Sequence, residues 1–126
     1  MPFEPSSTAG YRPRFELETP TILDRARLNS ITDGDAALSA ELLGVLFEEA
    51  GGLIQRLDGL LASGDRTAVI DVAHRLKGTA SELGAMQLRA AAVVLETDGE
   101  PARWPDDIER LRAALAELRA HVLANP

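Results

Sequence analysis

The segment from Ala73 to Ala85 contains the residues of this chain that are best suited to chemistry. Apolar or small residues recur along it in steps of three and four, which predicts a helix with one buried stripe. His74 falls on the opposite side of that helix, with Lys77 and Gly78 one turn further along its own face. An exposed neutral imidazole beside a cation can act as a nucleophile.

Each of these residues also has an explanation that involves no function. A lone surface histidine is commonly inert, and a glycine inside a helix costs about 1 kcal/mol relative to alanine. Two features favour a function. Gly78 weakens the helix at the position where a side chain would crowd His74, which leaves room for another molecule. Lys77 is the only lysine among 13 basic residues, and it lies one turn from the histidine.

From His74 to Ala85 the chain reads His-x-Leu-Lys-Gly-Thr-Ala-x-x-Leu-Gly-Ala. This order resembles the signature of histidine-containing phosphotransfer (HPt) domains of two-component phosphorelays, with Thr79 where the family more often has serine. The resemblance implies that His74 is phosphorylated and that Lys77 and Gly78 serve the phosphoryl group and the docking of a receiver domain. The partner-binding residues expected on this basis are Arg75, Gly78, Thr79 and Ser81.

The resemblance also implies partners and cofactors. The partners are a response-regulator receiver domain, a hybrid histidine kinase, or both, and the receiver supplies the acceptor aspartate and a divalent cation. The chain itself is expected to bind no cofactor and no metal. It has no glycine-rich phosphate loop, so it is predicted to be a phosphoryl carrier without a nucleotide site. We expect a cytoplasmic monomer.

Composition agrees with a helical signalling domain. Hydrophobic residues make up 45% of the 126 residues and aromatic residues only 4%, which favours helices over sheets. The net charge of -7 disfavours nucleic acid and anionic membranes as partners. The absence of cysteine is compatible with the cytosol, and neither a secretory signal nor a run long enough to span a bilayer is recognised.

The chain divides into an extended arm and one helical domain. Residues 1–18 hold three prolines and no helical period, and we expect an ordered tail rather than a partner-binding arm. Residues 19–126 are predicted to form an all-α antiparallel four-helix bundle with an extra short N-terminal helix. Trp104 is predicted to close the core.

Capping and turn residues predict the helix boundaries. A short helix follows Thr19-Pro20 or Asp24 and reaches about Ile31. A long helix follows Asp35, runs from Ala36 to about Ala62, and has a predicted bend at Gly51-Gly52. The His74 helix follows Asp65 and stops near Leu83-Gly84. The next helix begins at once and ends before Asp98-Gly99-Glu100-Pro101. The last helix begins at Trp104-Pro105. The predicted core face of the long helix is Leu38, Leu42, Val45, Leu46, Leu53, Leu57, Leu60 and Leu61, with Glu48 and Glu49 in solvent.

A helical hairpin that turns near Ala85 would bring a carboxylate to the histidine. Glu96 lies eleven residues after Ala85, and His74 lies eleven residues before it. In an antiparallel pair these two residues sit at the same height, where the carboxylate could accept the Nδ1 proton and leave Nε2 as the nucleophile. A Glu or Gln often occurs at this spacing in HPt domains. The remaining possibility is a solvated Glu96.

Two other classes of function remain open at this stage. A helical adaptor with an incidental His74 would never carry phosphate. A metal-dependent bundle enzyme would need several inward carboxylates and paired Glu-x-x-His motifs, whereas only Asp71-x-x-His74 comes near, and it faces outward. His121, in the last turn of the final helix, is interpreted as a surface residue compatible with the helix dipole.

Overall fold

The computed structural model describes residues 20–98 and 100–126, and all regular structure in that part of the chain is helical. Within these residues, five α-helices occur in order: α1 (Arg25–Thr32), α2 (Ala36–Leu60), α3 (Arg66–Leu83), α4 (Met86–Thr97) and α5 (Trp104–Ala124), with a short 3-10 turn at Pro101–Arg103 before α5. The predicted arm over residues 1–18 lies outside the described residues. The all-α class predicted from composition is confirmed for the described part.

Aspartate caps start the first three helices. The side chains of Asp24, Asp35 and Asp65 each accept a hydrogen bond from the backbone N–H three residues later, at 3.1, 3.0 and 3.1 Å. Each bond satisfies an N–H group that has no partner inside its helix. The cap positions predicted from the sequence are therefore confirmed, although α2 ends at Leu60 rather than near Ala62. It runs without interruption through Gly51 and Gly52.

Gly84 produces the sharp turn between α3 and α4. Its φ of 83° is left-handed, and the N–H of Ala85 bonds to the carbonyl of Ala80 in the arrangement typical of a glycine helix end. An added Cβ at Gly84 would lie 2.7 Å from the backbone oxygen of Asp24. The N–H of Asp24 in turn bonds to the Gly84 carbonyl at 2.7 Å. This turn therefore fixes both the α3–α4 hairpin and the start of α1.

The four longer helices enclose one core. Each of α2, α3, α4 and α5 packs against two of the others, in the cyclic order α2–α3–α4–α5, and α1 packs on α2 and α3. Alanines such as Ala73, Ala80 and Ala92 are fully buried and allow α3 and α4 to approach closely. Trp104 is 1% exposed, so its predicted place in the core is confirmed. The other large, fully buried side chains are Leu28, Leu46, Leu57, Val69, Leu76, Leu88, Leu95, Ile108, Leu111 and Leu118.

Part of the predicted core face of α2 is wrong. Leu46, Leu53 and Leu57 are buried, but Val45 is 56% exposed and Leu38 is 36% exposed. The apolar residues of α2 cover a wider arc of the helix than α3 and α5 can bury. Periodicity shows which residues are apolar, while the position of neighbouring helices decides which of them lose contact with water.

Candidate phosphoacceptor site

His74 stands on the outer surface of α3, and its side chain is 67% exposed. Its neighbours Val72, Ala73 and Leu76 are buried in the core, which fixes the orientation of the helix. The ring atom Nδ1 lies 2.7 Å from Oε2 of Glu96 on α4. No hydrogen bond joins Nε2 to any residue in the described part of the chain, so this nitrogen faces solvent.

The contact between His74 and Glu96 confirms the prediction that these two residues lie at the same height on neighbouring helices. A second contact joins the same helices, since Nε of Arg89 on α4 donates to Oγ of Ser81 on α3 at 2.8 Å. The later residue of α3 meets the earlier residue of α4, so the two contacts together show that these two helices run in opposite directions. The turn at Gly84 and the close packing of alanines set this register.

Glu96 holds both His74 and Lys77. Its Oε1 lies 2.8 Å from Nζ of Lys77, and its Oε2 accepts from His74. The hydrogen bond from Lys77, followed by that from His74, lowers the pKa of the Glu96 carboxyl below 4.5, although partial burial opposes the shift. An ionised carboxylate can only accept, so the proton of the neutral imidazole is on Nδ1 and the lone pair is on Nε2.

The ion pair between Lys77 and Glu96 was not predicted from the sequence. Lys77 was expected to face an incoming phosphoryl group, but its side chain is only 29% exposed and its ammonium is engaged by Glu96. The signal was available: Lys77 lies one turn after His74 on the same face, so the same carboxylate can reach both.

Gly78 leaves the surface beside His74 open. A Cβ added there would meet nothing within 4 Å, so the packing of this chain does not require glycine at this position. Arg75 is exposed, and its Nη2 lies 3.8 Å from Oε2 of Glu49 on α2. Oγ1 of Thr79 donates to Oε1 of the same Glu49 at 3.3 Å. Glu49 is 41% exposed, so its predicted place on a solvated face is confirmed, and these two contacts lie at the surface.

The contacts of Glu49 follow the same geometry as those of Glu96. Glu49 lies fourteen residues before Ser63 in the α2–α3 connection, and Lys77 lies fourteen residues after it. Arg75 and Thr79 flank that level on α3. Counting outward from this turn, as was done from Ala85, would have placed Glu49 beside both of them.

Ser81 differs from the other predicted partner-binding residues in its surroundings. Its hydroxyl donates to the carbonyl of Lys77 at 2.7 Å and accepts from Arg89. The side chain is half-buried between α3 and α4 and is already hydrogen-bonded within the chain. Arg75 and Thr79 instead contact Glu49 on α2, and Gly78 lies beside open space. Their binding roles stay predictions.

The described residues contain no group of three or more histidines, aspartates or glutamates that could hold a metal ion. In the same part of the chain, no helix is both long and apolar enough to cross a membrane. His121 is half-buried near the end of α5, where its carbonyl accepts from the N–H of Asn125 at 3.0 Å.

A pair of neighbouring acids at the α4–α5 connection, one buried and one half-buried, was also missed. Asp107, in the first turn of α5, is 3% exposed, and burial raises the pKa of its carboxyl, with the neighbouring Asp98 adding to the effect. Desolvation also acts on Asp98, but the backbone N–H of Glu100, Asp107 and Arg103 together hold the pKa of Asp98 below 3.8. The sequence offered only two acids at a helix start, which are usually exposed.

Comparison with known proteins agrees with this geometry. The chain is 30% identical over 119 residues to the sensor histidine kinase GacS of Pseudomonas protegens; the match covers 93% of this chain but only 13% of that protein. Its fold is similar to the crystal structure of histidine-containing phosphotransfer protein B (HptB) from Pseudomonas aeruginosa PAO1. The TM-score is 0.72 at 28% identity, and the match covers 79% of this chain and 89% of that one.

The Hpt domain family matches residues 41–121, which include His74, Lys77, Glu96, all of α3 and α4 and most of α2 and α5. This match spans well over half of the chain. The resemblance read from His74 to Ala85 is thereby confirmed. The chain belongs to the Hpt domain family, the histidine phosphotransfer domains of two-component phosphorelays.

Proposed function

We propose that the chain carries a phosphoryl group on Nε2 of His74, to or from an aspartate of a response-regulator receiver domain. The observation that carries the proposal is the 2.7 Å contact between Nδ1 of His74 and Glu96, on a side chain that is 67% exposed. This contact supports a proton on the inner nitrogen and a lone pair on the outer one, where a partner can reach it.

In the transfer step, the Nε2 lone pair attacks the phosphorus of an aspartyl phosphate. The N–P bond forms as the P–O bond to the aspartate breaks, and the aspartate leaves as a carboxylate with the bonding electron pair. The proton stays on Nδ1, so the phosphorylated ring carries a positive charge. Glu96 stabilises that charge through the same hydrogen bond. The reverse reaction retraces these steps.

Lys77 has two roles in this proposal. It helps to keep Glu96 ionised, which is supported by their 2.8 Å contact. Lys77 also lies one helical turn after His74, so its ammonium can attract the phosphoryl oxygens. Gly78 supports the approach of the receiver, because open space lies where a side chain would project. Arg75, Thr79 and Ser81 are proposed to contribute to docking.

The receiver domain is proposed to bring the divalent cation and the acceptor aspartate, while this chain binds no cofactor of its own. Its role is that of a carrier rather than an enzyme with a nucleotide site. A hybrid histidine kinase is the proposed source or destination of the phosphate on the other side of the relay. We further propose that the chain acts as a monomer in the cytoplasm, which sedimentation and cell fractionation would test.

The finer architecture also belongs to the proposal. We infer that α2, α3, α4 and α5 form an antiparallel four-helix bundle over residues 19–126, with α1 as the extra short helix and residues 1–18 as an arm outside it. The cyclic packing of the four helices and the opposed directions of α3 and α4 support this arrangement.

The deciding experiment mixes the protein with a phosphorylated receiver domain. Phosphate should appear on this chain in a form that survives base and is lost in acid, as expected for a phosphoramidate. Mass spectrometry of peptides recovered under basic conditions should place it on His74. Phosphate on another residue, or none with several receivers that are active toward other carriers, would overturn the proposal.

A further inference from the structure

An open groove runs between α4 and α5 and is distinct from the phosphoacceptor site. Its volume is about 290 Å³, and small apolar residues form most of its lining. Val94 at its rim is 37% exposed. Val94 and Glu96 are two residues apart on α4, about 200° around the helix, so the groove opens away from His74. Its lining residues are Pro20, Gln87, Ala90, Ala91, Val94, Arg110, Ala113, Ala114 and Glu117.

The described chain begins at this groove. Pro20 is one of its lining residues, and its carbonyl accepts a hydrogen bond from Nε2 of Gln87, in the first turn of α4, at 2.9 Å. From Pro20 the chain passes to the buried Leu23 and then to Asp24, which bonds to Gly84 at the α3–α4 turn. Pro20 is therefore held at the groove on one side, and Thr19 is joined to it directly in the sequence.

The sequence just before Pro20 has the pattern of a segment with one apolar side. It reads Phe15-Glu16-Leu17-Glu18-Thr19, in which apolar and acidic residues alternate. In an extended chain, residues two apart point the same way, so Phe15 and Leu17 share one side and the two glutamates share the other. An apolar groove can bury the first side and leave the second in water.

The lengths match as well. Gln87 and Val94 are seven residues apart on α4, or about 10 Å at 1.5 Å per residue. An extended chain covers about 3.3 Å per residue, so three residues before Pro20 span the same distance. Leu17 can therefore reach the level of Val94. The opposite wall carries one group of each charge, because Arg110, which is 57% exposed and pairs with Asp107, and Glu117 both line the groove.

We propose that the segment Phe15–Thr19 docks as an extended strip in the α4–α5 groove of its own chain, with Leu17 placed against Val94 and the alanines. The occupant is this segment rather than a separate protein because the chain enters the groove at Pro20, which makes the effective concentration of the segment high. Docking covers a surface of α4 and α5 that the packing of the described helices leaves open.

The absence of cysteine from the chain permits a clean crosslinking test. A double variant, Leu17→Cys with Val94→Cys, is oxidised in dilute solution, where a disulfide forms only if the two Cα atoms come within about 7 Å. We expect an intramolecular disulfide to form at least tenfold faster than in two control pairs. The controls join Leu17→Cys to Val45→Cys on α2, or to Leu123→Cys at the end of α5, both highly exposed.

Equal rates in the three pairs would overturn the proposal, and so would faster crosslinking to Val45 or Leu123. A disulfide-linked dimer as the main product of the Val94 pair would also overturn it, because the groove would then accept a second copy.

Thermal unfolding supplies an independent measurement. Phe15→Ala with Leu17→Ala should lower the Tm by about 4 °C or more, whereas Phe3→Ala should not. An unchanged Tm in the double variant would contradict docking.

Discussion

Glu96 is the residue on which the proposed chemistry depends most. It is 19% exposed and joins His74 and Lys77 through its two oxygens. Without it, the imidazole populates both neutral tautomers, and the one with the proton on Nε2 cannot attack phosphorus. We expect Glu96→Ala to slow phosphorylation of His74 on the order of tenfold, about the free energy of one hydrogen bond, while the protein stays folded.

The rate of transfer from a phosphorylated receiver measures this effect. Glu96→Gln should be intermediate, because an amide oxygen can still accept from Nδ1 but does not carry the charge that attracts Lys77. Glu41→Ala, on the exposed start of α2, removes an equal charge and should leave the rate unchanged. A folded Glu96→Ala protein with wild-type kinetics would make the 2.7 Å contact incidental.

Lys77 can be tested through the titration of its partner. Because the pKa of Glu96 is lowered, its ionised form stabilises the fold above pH 4.5, and this contribution is lost as the pH falls through the lowered pKa. Lys77→Ala should raise the pKa of Glu96 toward 4.5 and reduce that loss. It should also slow transfer and shorten the lifetime of phosphorylated His74, with Lys77→Arg intermediate.

An NMR titration of the Glu96 carboxyl and a decay measurement without receiver provide the two readouts. Arg75→Ala is the matched control, because Arg75 is a cation on the same helix that contacts Glu49 instead of Glu96. If Lys77→Ala leaves both the pKa and the lifetime at wild-type values, the ion pair has no part in the site.

At the scale of the helices, replacing Gly78 should stabilise α3 while weakening its proposed function. Glycine costs a helix interior about 1 kcal/mol relative to good helix formers, and a Cβ at this position has free space. Gly78→Gln should therefore raise the Tm by several degrees. The same side chain should weaken receiver binding tenfold or more, because it fills the open surface one turn from His74.

Gly44→Gln is the control for this change. Gly44 is also exposed, lies inside a helix and has free space for a Cβ. It lies on α2, however, eight residues before Gly52, which counting from Ser63 puts level with His74. It should raise the Tm similarly and leave receiver affinity, measured by calorimetry, unaltered. Equal affinity in both variants would show that Gly78 does not serve docking.

The connection between α4 and α5 contains an acid that weakens the fold at neutral pH. Because the pKa of the buried Asp107 is raised, the unfolded chain ionises first as the pH rises above 3.8, and the folded state loses stability. Asp107→Asn removes this loss, while its amide can still accept from Arg110 and donate to Asp98. The Tm difference between variant and wild type should therefore grow more positive from pH 3.5 to pH 7.

Thermal unfolding at a series of pH values checks this expectation. Asp106→Asn, one residue earlier and exposed, removes the same charge without relieving burial, and should lower the Tm slightly through loss of a favourable helix-dipole interaction. A Tm difference for Asp107→Asn that is flat or falls with pH would mean that Asp107 is ionised in the fold at low cost.

For the whole molecule, local rules predicted much of the fold and part of the site. The caps at Asp24, Asp35 and Asp65 and the glycine at Gly84 act on their own helix ends, so the sequence is enough to recognise them. The contact of Glu96 followed because one tight turn sets the register of two straight helices.

The exposure of Val45 and the burial of Asp107 could not be predicted in the same way. Both depend on how far neighbouring helices extend over a surface, which is a property of the whole arrangement. The double role of Glu96 was missed for a related reason, since it requires two side chains of α3 to converge on one carboxylate of α4.

The three residues of the proposed site, His74, Lys77 and Glu96, lie outside the buried core that holds the helices together. His74 is 67% exposed and lies off the buried stripe of α3, so the core does not depend on it. His74→Gln should abolish phosphorylation while changing the Tm by no more than about 2 °C, because exposed substitutions alter the free energy of unfolding by about 0.5 kcal/mol or less. His121→Gln is the comparison, since His121 is the only other histidine and has no Glu96-like partner among the described residues. It should accept phosphate at the wild-type rate. Phosphate on the His74→Gln protein, or its loss from His121→Gln, would reverse the assignment. A large fall in Tm for His74→Gln would mean that His74 contributes to the stability of the fold.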